Sequence, residues 1–180
     1  MTYQPDSQVR WIVQHYSATP TESVYTYAQL ERDHIARGFR KGGYHFYLPL
    51  KGGRITGRDL SKPGKFEVGA HCKGSNSNSI GICVEGGVTL AAKNVGVDNR
   101  TPAQIKAQVA LIRELLVRFP NAKVEGHRDM PGAATQCPGY DAAAWWASVA
   151  ATVAVQKPAQ SDPLGWFQRM LKSFFDSFKS

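Results

Sequence analysis

EGHRDMPGAATQCPGY, residues 125–140, sets His127 and Cys137 on either side of a loop rich in proline and glycine. The residues leading into it, 122–127, read as a strand, and Asp141 opens a helix that carries Trp145 and Trp146. A strand, a loop that doubles back and a helix in succession belong to an α/β fold. Zinc prefers nitrogen and sulfur ligands, and bends at Pro131, Gly132 and Pro138 let Cys137 return towards His127. On spacing alone, a core histidine and an inert buried cysteine explain the pair too.

Working outward, the same alternation recurs. Residues 9–15, VRWIVQH, are rich in β-branched and aromatic side chains and read as a strand with His15 near its C-terminal end. Ser23 is a candidate cap for a helix that Gly38 stops. Residues 44–50 read as a strand, and Gly52 and Gly53 turn the chain into a short second one at 54–57. Residues 59–78 read as a polar loop, and 79–85, SIGICVE, as a buried strand. The best-marked helix starts at Thr101, with Pro102 in its first turn and Gln104 completing a capping box. Its apolar stripe runs through Ile105, Val109, Ile112, Leu115, Leu116 and Phe119. The expected architecture is α/β: a single domain over residues 1–155 with a central mixed β-sheet flanked by helices. A polar linker at 156–163 and a C-terminal amphipathic helix at 164–180 follow.

The totals narrow the function. A 42% hydrophobic share supports a real core, and a net charge of +8 favours polyanions: nucleic acid, anionic lipid or an acidic wall polymer. Three cysteines without a repeating spacing argue against a disulfide framework. No stretch has the apolar run of a signal peptide or a membrane span, so synthesis in the cytoplasm and release by other means are expected.

Four motifs then occur in order: HYSATP at His15, GYHFYL around Tyr44, NSIGICVEGG from Asn78, and GHRD followed by CPGYD at Cys137. Together with GRDL and GAHCKGSNSNSIGICVEGG, they resemble the type-2 N-acetylmuramoyl-L-alanine amidases. These comprise phage lysozyme-type amidases, bacterial zinc amidases and animal peptidoglycan recognition proteins. The resemblance covers roughly residues 8–150. It implies zinc held by His15, His127 and Cys137, whose two imidazoles and one thiolate leave the ion acidic enough to activate water. It also implies that Tyr44 assists proton transfer during attack on the amide bond between N-acetylmuramic acid and L-alanine in peptidoglycan.

Two residues before the cysteine, the phage enzymes typically carry a lysine that faces the substrate carbonyl. Here the position is Thr135, as in several active recognition-protein amidases. Its hydroxyl can donate to an oxyanion but brings no full charge, which leaves more of the stabilisation to zinc. His71, in the polar loop, is a candidate contact to the sugar or peptide of the substrate, or a solvated loop histidine. His45 should face away from Tyr44 and pack, and His34 reads as a solvated histidine on a helix. Cys83 reads as a small core residue.

In the last 17 residues, Leu164, Phe167, Met170, Leu171, Phe174, Phe175 and Phe178 fall on one side of a helix, against Arg169, Lys172, Asp176 and Lys179. Such a basic amphipathic helix suits an anionic membrane or outer-envelope surface, or packs on the domain. The resemblance places the protein as a phage or prophage endolysin, bacteriolytic after release to the cell wall. The rival is a non-catalytic peptidoglycan-binding receptor. A nucleic-acid partner is not expected, because no basic run with interleaved aromatics occurs in the domain.

Overall fold

Every residue of Ser79–Val84 is buried, as a strand covered on both faces requires. In the computed structural model, which describes residues 1–156, this strand is the middle of a five-stranded sheet. The elements in chain order are β1 (Tyr3–Pro5), β2 (Trp11–Tyr16), β3 (Thr19–Pro20), α1 (Tyr27–Ala36), β4 (Phe46–Leu48), β5 (Ile55–Thr56), β6 (Lys65–Glu67), β7 (Ser79–Val84), β8 (Gly87–Val88), α2 (Pro102–Arg118), β9 (Lys123–Gly126) and α3 (Ala142–Gln156). The sheet order is β5-β4-β7-β2-β9. Its inner pairs are parallel and β5 is antiparallel to β4, so the sheet is mixed. Two-stranded ladders, β1 with β6 and β3 with β8, complete the strands. The sheet lies wholly within one compact unit, residues 1–146.

Side chains alternate across the sheet. Ile12, Ile80, Ile82 and Val84 share one core cluster with Leu111, Ile112 and Leu115 of α2. Cys83 and Tyr47 pack with Leu30 of α1 in a separate cluster. Helix α2 begins as its sequence requires, with a Thr101–Gln104 capping box and proline in the first turn. It also carries polar anchors into the interior. Gln104 Nε2 donates to the Leu48 and Glu85 carbonyls, and Gln108 Nε2 donates to Gln14 Oε1 at 2.6 Å. These bonds let two buried amides sit inside an otherwise apolar layer without an unmet donor.

Three expectations are corrected. Helix α1 is capped by Thr26, not Ser23, because Gln29 lies three residues on and closes a capping box with it. Ser23 instead sits in a turn, donating its N–H to Pro20. Strand β4 is shorter than expected and leaves Tyr44 just outside it. The polar loop 59–78 contains β6, whose partner is the N-terminal strand β1. A three-residue strand that follows Gly64 and opens on Lys65 carries too little alternation to be read locally. The linker and the amphipathic helix expected at 156–163 and 164–180 lie outside the described residues, apart from Gln156, which ends α3.

Candidate metal centre

Strands β2 and β9 lie side by side and parallel, Trp11 opposite Lys123 and Gln14 opposite Gly126. Their C-terminal ends therefore deliver His15 and His127 to one place, with ring centroids 4.6 Å apart. This is the end of a parallel sheet at which α/β folds bind ligands. The loop after His127 then folds back. Arg128 donates its N–H to the Cys137 carbonyl at 2.7 Å, and Tyr16 donates its N–H to Cys137 Sγ at 3.3 Å. Cys137 Sγ stands 3.7 Å from His15 Nδ1. The peptide between Cys137 and Pro138 is cis.

One ligand atom from each of His15, His127 and Cys137 falls within 4.8 Å of the others. Two imidazole nitrogens and a sulfur at that spacing fit a zinc ion and leave one tetrahedral position open. The electrostatics fit as well. Burial, with His71, His127 and His45 adding to it, pushes the His15 pKa well below 6.5, and burial lowers that of His127. Both rings are thus neutral and offer lone pairs at neutral pH. Burial raises the Cys137 thiol to about 12, so its thiolate calls for a cation beside it.

His127 and Cys137 open on a cleft of about 220 Å³, whose lining also includes Tyr16, His34, Arg37, Tyr44 and Thr135. Tyr44 stacks near His15, centroids 5.0 Å apart, and burial lifts its pKa well above 10, with Cys83 and Cys137 adding to the shift. The phenol is therefore a neutral donor. Thr135 is exposed, and its Oγ1 accepts the Cys137 N–H at 3.1 Å. Tyr44 and Thr135 thus share the cleft with His127 and Cys137. His71 does not line it: its ring is buried behind His15, with Nδ1 3.1 Å from His15 Nε2.

His45 is fully buried, and both of its ring nitrogens are engaged, by the Gly81 N–H and the Glu67 carbonyl. It has no lone pair left for a metal. His34 is not solvated. It is 5% exposed, accepts the Gly43 N–H at 2.8 Å and stacks near Phe39 and Tyr44. Its ring centroid lies 5.5 Å from that of Tyr44, and both side chains line the cleft. Sequence reasoning also missed Tyr16 and Arg37 as cleft residues. The only signal for Tyr16 was its position directly after a strand-end histidine.

The family model for N-acetylmuramoyl-L-alanine amidase matches residues 5–140. The chain belongs to this amidase family. An endolysin of Enterobacteria phage T3 is 32% identical to the amidase over 144 residues, 80% of this chain and 89% of its own length. An endolysin of Klebsiella phage KP32 is 36% identical over 132 residues, 73% of this chain and 82% of its own. Among solved structures, the N-acetylmuramoyl-L-alanine amidase LysC from Clostridium intestinale URNW superposes with a TM-score of 0.64 at 25% identity, covering 85% of the amidase and 90% of LysC. Drosophila PGRP-LB shares the fold, with a TM-score of 0.62 at 22% identity, covering 82% of the amidase and 85% of PGRP-LB. His15, Tyr44, His71, His127, Thr135 and Cys137 all fall inside the residues matched by the family model.

Proposed function

We propose that this endolysin-type amidase hydrolyses the bond between N-acetylmuramic acid and L-alanine in peptidoglycan, with zinc held by His15, His127 and Cys137. The observation that carries the reading is the convergence of those three donors within 4.8 Å, beside a cleft that His127, Cys137, Tyr44 and Thr135 line. When bound, zinc supplies Lewis acidity and makes a water nucleophilic near neutral pH.

The chain's own groups do the rest. His15 and His127, neutral because buried, give lone pairs without losing a proton first. The Tyr16 N–H stabilises negative charge on the Cys137 sulfur. The Tyr44 phenol, kept protonated by burial and resting beside the Cys83 thiol, lines the cleft and orients the attacking water or relays a proton during attack on the amide carbonyl. Thr135 accepts the Cys137 N–H on its oxygen, so its hydroxyl proton, which faces the Tyr16 phenol, can turn to donate to the developing oxyanion. The amine of L-alanine leaves once protonated.

Mass spectrometry of digested cell walls tests the cleavage. Released stem peptides should begin with a free L-alanine amine, and a chelator should stop their release. Cleavage of a glycan or peptide crosslink instead would overturn the reading. The biological setting follows that of a phage or prophage endolysin, made in a host cell and acting on its wall after release. The apolar stripe at 164–178 adds a contact with anionic membrane or outer envelope. Sedimentation with anionic vesicles, comparing the full chain with one ending at Gln156, tests that addition; equal binding by both would remove it.

A further inference from the structure

A histidine ring nitrogen can hold a metal only as a lone pair, so the proton of a neutral ligand imidazole must sit on its other nitrogen. Whatever accepts that proton decides whether the ring is ready for the metal. In His15 the two nitrogens are plainly distinguished. Nδ1 faces Cys137 Sγ at 3.7 Å, and Nε2 faces His71 Nδ1 at 3.1 Å. Metal at Nδ1 leaves the proton on Nε2, where the group in hydrogen-bond reach among the described residues is the His71 ring.

His71 is itself tightly seated. Its N–H and that of Cys72 both donate to Asn76 Oδ1 at 2.8 Å, which pins the loop that carries it. Two glycines clear the space for the ring. A Cβ on Gly81 would stand 2.6 Å from His71 Cγ, and one on Gly69 would stand 2.6 Å from His71 Cδ2. The side chain is 9% exposed, which puts it out of reach of a bulky wall polymer. Its Nε2 is buried without an aligned hydrogen-bond partner, although the Ser79 backbone is close enough to favour a proton on the ring.

We propose that His71 is a positioning residue of the metal centre: its Nδ1 accepts the proton of His15 Nε2, which fixes the ring orientation and tautomer that present His15 Nδ1 to the metal. The inference rests on the zinc centre proposed above and replaces the substrate contact expected for His71 from sequence. The consequence is a chain of two neutral imidazoles. The proton of His71 is driven to its Nε2, on the side away from His15, and the two rings change tautomer together when the metal leaves.

The test uses the full chain, stripped of metal and reloaded, with zinc affinity read by competition against a chromogenic chelator. His71→Leu keeps an apolar filling but has no acceptor. His71→Asn places its Oδ1 near the position of Nδ1. His71→Leu should weaken zinc binding roughly 10- to 100-fold, whereas His71→Asn should stay within about threefold of the unaltered protein. In ¹⁵N-histidine spectra of the zinc-loaded protein, His15 should carry its proton on Nε2. Wild-type affinity in His71→Leu would overturn the proposal, as would equal losses in both variants matched by equal falls in metal-free melting temperature. A raised KM with unchanged zinc affinity would return His71 to substrate contact. If the unaltered protein took up no zinc at all, the metal centre itself would fail, and the proposal with it.

Discussion

Tyr16 gives its backbone N–H to the sulfur of Cys137 at 3.3 Å, across 121 positions of sequence. Strand β2 thus supplies two adjacent groups to one centre, the His15 ring and the next amide. That amide is fixed by the sheet and not by a side chain, so it persists in any ligand variant. Cys137→Ala should therefore fold, keep the Arg128 N–H bond to the residue 137 carbonyl, and lose only the sulfur. Zinc content should fall from about one per chain to near zero, and lysis of walls with it. His15→Ala and His127→Ala should do the same. Full zinc content and full activity in Cys137→Ala would show that the sulfur is not a ligand.

Tyr44 and Thr135 should separate in size of effect. Tyr44→Phe removes a neutral donor from the cleft without touching a ligand, so turnover should drop roughly 10²-fold with zinc content unchanged. Thr135→Ala removes a hydroxyl that also accepts the Cys137 N–H, yet a zinc ion held by the three donors would polarise the same substrate oxygen, so a loss of about 10-fold is expected. Steady-state rates on soluble muropeptide, with metal analysis of each variant, check both. An unchanged rate in Tyr44→Phe would remove the phenol from the chemistry.

Acid should destabilise the fold through two histidines that hold no metal. Burial holds His34 and His45 near pKa 4 against an ordinary 6.5. Each Nδ1 also accepts a backbone N–H, from Gly43 and from Gly81, which an imidazolium cannot do. Between those values the unfolded chain binds protons that the folded chain refuses. Their contribution is thus fully present above pH 6.5 and is lost as pH falls towards 4. Urea midpoints taken from pH 7 to 4 with chelator present should fall steadily. The slope should flatten in a His34→Asn, His45→Asn double variant, whose amide oxygens accept at any pH. An identical slope in the double variant would exclude these two rings as its source.

The three side chains that the structure brings together were legible because each sits at a chemically marked point: His15 and His127 at strand ends, Cys137 in a loop built to bend. The long helix was legible from Thr101, Pro102 and Gln104 alone. The burial of His34 was not, because Asp33 and Arg37 beside it mark a solvated face. What covers it, Phe39, Gly43 and Tyr44, comes from the chain that returns after the helix. His71 was misplaced for the same reason. A polar loop hid a ring whose seat depends on Gly81, in another strand. Local chemistry names a ligand, whereas what stands behind it depends on contacts made by distant parts of the chain.

The support for Tyr44 can be tested from a distance. Glu67 is fully buried with its carboxylate on Lys41 Nζ at 2.8 Å and Arg58 Nη1 at 3.2 Å, and it also takes the Asp59 N–H at 2.9 Å. Burial alone would raise its pKa, but Lys41, the Asp59 N–H and Arg58 hold it below the ordinary carboxylate value. Arg58 in turn donates Nε–H to the Gly42 carbonyl at 2.7 Å, two residues before Tyr44. The carboxylate therefore anchors the segment that aims the phenol into the cleft. Glu67→Gln leaves Arg58 buried without its counter-charge, which should cost about 3 kcal/mol. At this chain length that corresponds to a melting temperature lower by roughly 6–12 °C. Zinc affinity should stay near that of the unaltered protein, because none of the three ligands touches this network, while turnover should fall as Tyr44 loses its fixed position. A variant that kept both its melting temperature and its turnover would show that the cluster neither stabilises the domain nor places the tyrosine.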